Sequence, residues 1–116
     1  MNKRYHELIQ IVPDFPAPGI LFRDITPLLK EAAAFRQVID DMTTPFNNKQ
    51  VDAVVAIEAR GYILGAPVAL ELQAGFVPVR KEGKLPRKTA KVEYSLEYGS
   101  ATIEMHQDAL QPHQRV

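Results

Sequence analysis

The sequence predicts an α/β fold, a parallel sheet core with flanking helices, and three observations predict it. The run VDAVVAI (51–57) is apolar, valine-rich and barely alternating, as in a strand buried on both faces of a parallel sheet. It stops at Glu58-Ala59-Arg60-Gly61, a helical apolar stretch follows to Leu72, and Phe76, Val77 and Val79 make a second strand. Strand, helix and strand within about 30 residues form a βαβ unit. Between 91 and 106 the period changes to two, which predicts a β-hairpin.

Composition bounds the rest. At 116 residues the chain is one small domain, and fourteen basic residues balance fourteen acidic ones. That balance gives no general attraction to nucleic acid or an anionic membrane. The absence of cysteine removes disulfides, thiolate metal sites and a cysteine nucleophile. No apolar run approaches the ~20 residues of a membrane span, and MNKRYHELIQ lacks the apolar centre of a signal peptide, so a cytoplasmic location is expected.

Taken in order, Tyr5, Leu8, Ile9 and Val12 fall at helical spacing and predict a short helix over 3–11. Pro13, Pro16 and Pro18 exclude a regular helix and make a stiff loop. Ile20, Leu21 and Phe22 follow; they read either as a wall for a flat ligand or as an anchor of the loop in the core. Thr26-Pro27 predicts a helix capped by Thr26. Phe35, Val38, Ile39, Met42 and Phe46 form a helical stripe, predicting a helix over 32–44 with this stripe in the core. Pro67 interrupts the next helical pattern, which implies a kink or a late start, and Gly75 ends it. In the hairpin, Val92, Tyr94, Leu96 and Tyr98 alternate with Glu93, Ser95 and Glu97, Gly99-Ser100 makes the turn, and Ile103 and Met105 return. Such a ribbon could close as a lid.

Two strand ends carry the candidate chemistry. Open α/β folds bind ligands beyond the carboxyl ends of parallel strands. The turn Glu58–Gly61 ends the first strand, and Arg80-Lys81-Glu82-Gly83-Lys84-Leu85-Pro86-Arg87-Lys88 ends the second, with five positive charges in nine residues. Arg60, Arg80, Lys81 and Lys84 are thereby aimed at one edge, which suits a phosphate or diphosphate. The alternatives are a local Glu58–Arg60 ion pair and an ordinary solvated charge run. His6, His106 and His113 are scattered without metal-ligand spacing, and no Walker, GxGxxG, GxSxG or HExxH pattern occurs.

Three stretches together resemble the adenine phosphoribosyltransferase family: FPAPGILFRDITPLL (15–29), VDAVVAIEARGYILGAPVALEL (51–72), and VPVRKEGKLP with YSLEYG (77–86, 94–99). The resemblance spans essentially the whole chain and implies a type I phosphoribosyltransferase fold, with a parallel core, an N-terminal hood and a hairpin lid. It implies a single domain, with the helix and hood over 1–30, the βαβ core over 31–90 and the lid over 91–106. It implies transfer of phosphoribose from phosphoribosyl pyrophosphate to adenine, giving AMP and pyrophosphate, with Mg²⁺ bound mainly through the substrate, in a homodimer. By the same resemblance Leu21, Phe22 and Arg23 hold adenine, with Phe22 stacking on the purine. Glu58, Ala59, Arg60, Arg80, Lys81 and Lys84 form the pyrophosphate site, with a non-proline cis peptide between Glu58 and Ala59. Glu97, with Tyr98 beside it, matches the carboxylate that manages the adenine proton.

Two departures qualify it. The family continues beyond Arg115-Val116 into an acidic pair and a Gly/Thr-rich loop that hold the ribose and its 5′-phosphate; this sequence stops first, so a C-terminally truncated member is expected. Pro112-His113 also stands where the family has Pro-Gly. The 116-residue chain is accordingly expected to turn over little, and a non-catalytic purine-binding or dimerisation fragment is the alternative.

Overall fold

The computed structural model describes residues 3–96 and 99–116, and it divides into two compact units, Met1–Asp41 and Met42–Val116. In the first unit, helix α1 (Lys3–Leu8) leads into strand β1 (Gln10–Pro13), which pairs antiparallel with β2 (Leu21–Asp24). Helix α2 (Thr26–Lys30) follows, and helix α3 (Ala32–Thr43) crosses into the second unit. Tyr5, Leu28 and Ala34 form a small core, flanked by Leu8, Ile9, Leu29 and Val38. The Tyr5 hydroxyl donates to Asp41 Oδ2 at 2.5 Å.

The predicted helix over 3–11 is thus shorter: residues 10–13 pair as a strand, because Val12 and Ile11 meet Phe22 and Arg23 across the sheet. Ladder bonds to a distant segment outweigh the local helical spacing. Thr26 is not the cap its position suggested. Asp24 Oδ1 accepts from both the Thr26 N–H (2.8 Å) and its hydroxyl (2.7 Å), closing a side-chain turn before α2. The α3 stripe is only partly core. Ile39 is buried and Phe35 and Val38 half-buried, while Met42 and Phe46 are exposed, Phe46 lying beyond the helix end.

In the second unit, β3 (Ala53–Ile57), α4 (Arg60–Glu71) and β4 (Gly75–Lys81) form the predicted βαβ unit with parallel strands. Strands β5 (Thr89–Leu96) and β6 (Gly99–His106) form the predicted antiparallel hairpin. The sheet order is β3-β4-β6-β5. The hairpin continues the sheet from the end of β4, where Arg80 opposes Glu104 and Lys81 opposes Ile103. Leu96 opposes Gly99, so Gly99 and Ser100 belong to β6 and are not the turn.

Helix α4 starts at Arg60 and runs through Pro67. Its end is set by Gln73, in the left-handed region at φ 55°, and Gly75 opens β4 instead. Gly65 lets α4 lie close on the sheet: a Cβ there would stand 2.8 Å from Ala56 Cβ. The two faces of β3 differ: Val54 and Ala56 lie against Gly65 of α4, while on the opposite face Ala53 is buried but Val55 and Ile57 are exposed. Asp52 and Ala53 donate their N–H groups to the Arg115 carbonyl (2.8 and 3.4 Å), so the last residues run beside the start of β3.

Candidate functional site

Glu58 is the meeting point of the two strand ends. The ladder extends one residue past β3, with the Glu58 N–H donating to the Val79 carbonyl at 3.0 Å. The Glu58–Ala59 peptide is cis, as the resemblance implies. The carboxylate then turns toward β4. Its Oε1 accepts the Lys81 N–H at 2.7 Å, and its Oε2 faces Arg80 Nη2 and Lys84 Nζ, each at 3.4 Å. These partners, led by the Lys81 N–H, hold the Glu58 carboxyl below the ordinary glutamate range.

The loop after β4 makes this convergence possible. Gly83 sits at φ 87°, a conformation that costs glycine little, and the Lys84 N–H closes back on the Lys81 carbonyl at 3.3 Å. Lys84 is thereby returned to the strand end it has just left. Arg80 Nη1 lies 3.5 Å from the Lys84 carbonyl. Tyr62, in the first turn of α4, donates its hydroxyl to the Val79 carbonyl at 2.9 Å and packs edge-on against Phe76. Desolvation pushes its pKa up. Beside the turn lies an open concavity of about 550 Å³, lined by Val55, Ile57, Glu58, Arg60, Gly61 and Leu64 among others. The basic heads of Arg80 and Lys84 are exposed while the carboxylate they meet is largely buried, an arrangement with the chemistry to receive an anion.

Of the residues read from the sequence, Glu58, Arg80, Lys81 and Lys84 come together here, with Ala59 and Arg60 in the adjoining turn. Leu21, Phe22 and Arg23 stand on β2 in the first unit. Leu21 and Arg23 are exposed, and Phe22 is half-buried edge-on against Phe15, with centroids 5.2 Å apart. Arg23 also lines a small pocket with His6, Ile9 and Ile11. Glu97 and Tyr98 lie outside the described residues. Sequence reasoning passed over Gly83, Tyr62 and Glu104. Glu104 is buried on β6, where Lys91 reaches it at 3.4 Å while also binding Glu82 at 2.9 Å. The Glu82-Gly83 pair inside a basic run is the turn signal that marks the first of these.

No family model matches the chain. It is 60% identical over 113 residues to the adenine phosphoribosyltransferase of Nocardioides sp., covering 94% of this chain and 61% of that protein. It is 52% identical over 116 residues to that of Roseiflexus sp. strain RS-1, covering 100% of this chain and 67% of the relative. The crystal structure of the adenine phosphoribosyltransferase from Rhodothermus marinus superposes with a TM-score of 0.92 at 51% identity, covering 98% of this chain and 65% of that one. The enzyme from Giardia lamblia, solved in complex with 9-deazaadenine, gives 0.90 at 41% identity, covering 95% and 61%. The chain thus spans about three fifths to two thirds of these relatives' length. Sequence identity along essentially the whole chain and the same arrangement of elements lead to one conclusion: this chain belongs to the adenine phosphoribosyltransferase family.

Proposed function

We propose that the protein to which this chain contributes transfers the phosphoribosyl group of phosphoribosyl pyrophosphate to adenine, forming AMP and pyrophosphate in purine salvage. The observation that carries the reading is the convergence of Arg80, Lys84 and the Lys81 N–H on Glu58 at the ends of two parallel strands. Breaking the bond between ribose and pyrophosphate leaves a cation-like sugar and a highly charged leaving group. Cations already standing where that charge develops lower the barrier more than they stabilise the bound substrate. In this reading Arg60, Arg80, Lys81 and Lys84 receive the pyrophosphate, and the turn Glu58-Ala59 shapes the loop beneath it.

Phe22 would stack on adenine. Among the described residues strand β2 pairs only with β1, and in this reading backbone groups at Leu21 and Arg23 would read the purine edge. The Giardia lamblia relative, with its bound adenine analogue, supports the purine as substrate. Glu97 would pass a proton to or from the adenine ring, with Tyr98 beside it; such proton transfer contributes roughly 10²–10⁴-fold. In this reading magnesium would arrive with the diphosphate, beside the cationic strand ends. It would supply charge neutralisation of the pyrophosphate when bound. A homodimer in the cytoplasm belongs to the same proposal; among the described residues no helix is long and apolar enough to cross a membrane.

Calorimetry with adenine and with pyrophosphate, followed by an AMP-formation assay with phosphoribosyl pyrophosphate and magnesium, tests the proposal. We expect the 116-residue chain to bind both ligands and form little AMP, and the same chain extended to its relatives' length to form AMP at an enzymatic rate. Binding of purine alone would favour a non-catalytic purine-binding fragment. An extended chain that binds neither ligand would refute the proposal.

A further inference from the structure

The Glu58 carboxylate is a puzzle in a site for an anion. Its side chain is 11% exposed, while Arg80 and Lys84, which it meets, are 37% and 49% exposed. The carboxylate therefore lies on the inner side, with the basic heads outside it. Both its oxygens are engaged, one by the Lys81 N–H and the other by the two cations. We propose that Glu58 is the positioning residue of the anion site, holding Arg80, Lys84 and the Lys81 N–H in place for a pyrophosphate it does not touch.

This inference rests on the pyrophosphate reading above and goes beyond it in giving the acidic residue of the turn a distinct task. Arg80 and Lys84 bring two like charges to one carboxylate oxygen, and like charges that close repel. Without a shared counter-charge they would splay into solvent, and an arriving anion would have to immobilise each long side chain itself. Little else holds Arg80. Its Nη1 contact to the Lys84 carbonyl is long at 3.5 Å, and its Nε is buried with no hydrogen-bond partner among the described residues. The Glu58 main chain is tied down independently by its N–H bond to Val79, so the carboxylate is a fixed anchor.

A carboxylate beneath an anion also repels it, and that effect has the opposite sign. Here the cations stand between the two, so preorganisation outweighs repulsion. The substitution Glu58→Gln separates them, because it keeps the shape and an oxygen acceptor for the Lys81 N–H while removing the charge. We expect pyrophosphate affinity, measured by calorimetry at low ionic strength, to fall at least tenfold in E58Q, with adenine affinity unchanged. The Arg80 Nε–H heteronuclear NOE should drop in E58Q toward that of solvent-exposed arginines. Equal or tighter pyrophosphate binding by E58Q overturns the positioning role and leaves the pyrophosphate reading standing. A wild-type chain that does not bind pyrophosphate overturns that reading and this inference with it. A mobile Arg80 in the unliganded wild type overturns the inference alone, and that measurement stands even when E58Q fails to fold.

Discussion

Replacing Gly65 with alanine tests how closely α4 lies on the sheet. The added Cβ would stand 2.8 Å from Ala56 Cβ and 3.3 Å from the Phe76 ring, where carbon atoms ordinarily rest about 3.5–4.0 Å apart. Ala56 Cβ is fixed to the backbone of β3 and cannot swing aside. The helix must move away by most of an ångström, and overpacking of this kind costs about 1–3 kcal/mol. Alanine returns about 1 kcal/mol through its better helix propensity. With an immovable partner the cost sits toward the upper part of its range, so we expect Gly65→Ala to destabilise by about 1–2 kcal/mol. Gly61→Ala is the internal control. Its Cβ would meet Ala56 Cβ at 3.6 Å, an ordinary contact, so it should be neutral or stabilising by up to about 1 kcal/mol. Urea denaturation followed by far-ultraviolet circular dichroism, with an unchanged slope, measures both. The reasoning fails if Gly65→Ala is as stable as the wild type, or if the two substitutions shift the midpoint in the same direction.

Two further outcomes follow from hydrogen bonds to tyrosine. Burial and the bond to Asp41 push the Tyr5 hydroxyl from an ordinary pKa of 10.0 up to about 12. Its folded value lies above its unfolded one, so its contribution to stability is complete below pH 10 and is lost as pH rises toward about 12. Denaturation across that alkaline limb should show the loss in the wild type and a flatter profile in Tyr5→Phe; parallel profiles would contradict it. Tyr62→Phe removes the hydroxyl that binds the Val79 carbonyl and should cost about 0.5–1.5 kcal/mol in the same urea assay, with no change below that range if the bond does not form.

What the sequence made legible is what local pattern encodes. The β3-α4-β4 unit and the hairpin follow from valine-rich runs, helical composition and strict alternation, each contained within a short window. The β1-β2 pair escaped because its strands are four residues each and are stabilised across a proline-rich loop, so the spacing of Tyr5, Leu8 and Ile9 carried the helix too far. The two-sided burial expected of β3 depends on what packs over Val55 and Ile57, which its own residues do not specify. At the site, the charges were legible and their assembly was not. Glu58 meets Arg80 and Lys84 across 22 and 26 residues of sequence, through a turn that depends on the positive φ of Gly83. His113, where the resemblance implies glycine, adopts φ 70°, a conformation that glycine takes without strain.

The fold also separates charge that the composition hides. Fourteen positive and fourteen negative residues cancel, yet five of the positive ones stand within Arg80–Lys88. The field of this end of the sheet decays over a screening length of about 8 Å at physiological ionic strength, so it steers a diffusing polyanion toward the strand ends mainly at short range. The sharp return of the chain at Gly83, which brings Lys84 back to the strand end, therefore concentrates the field where β3 and β4 finish and makes the rate of anion capture, as well as its strength, sensitive to salt.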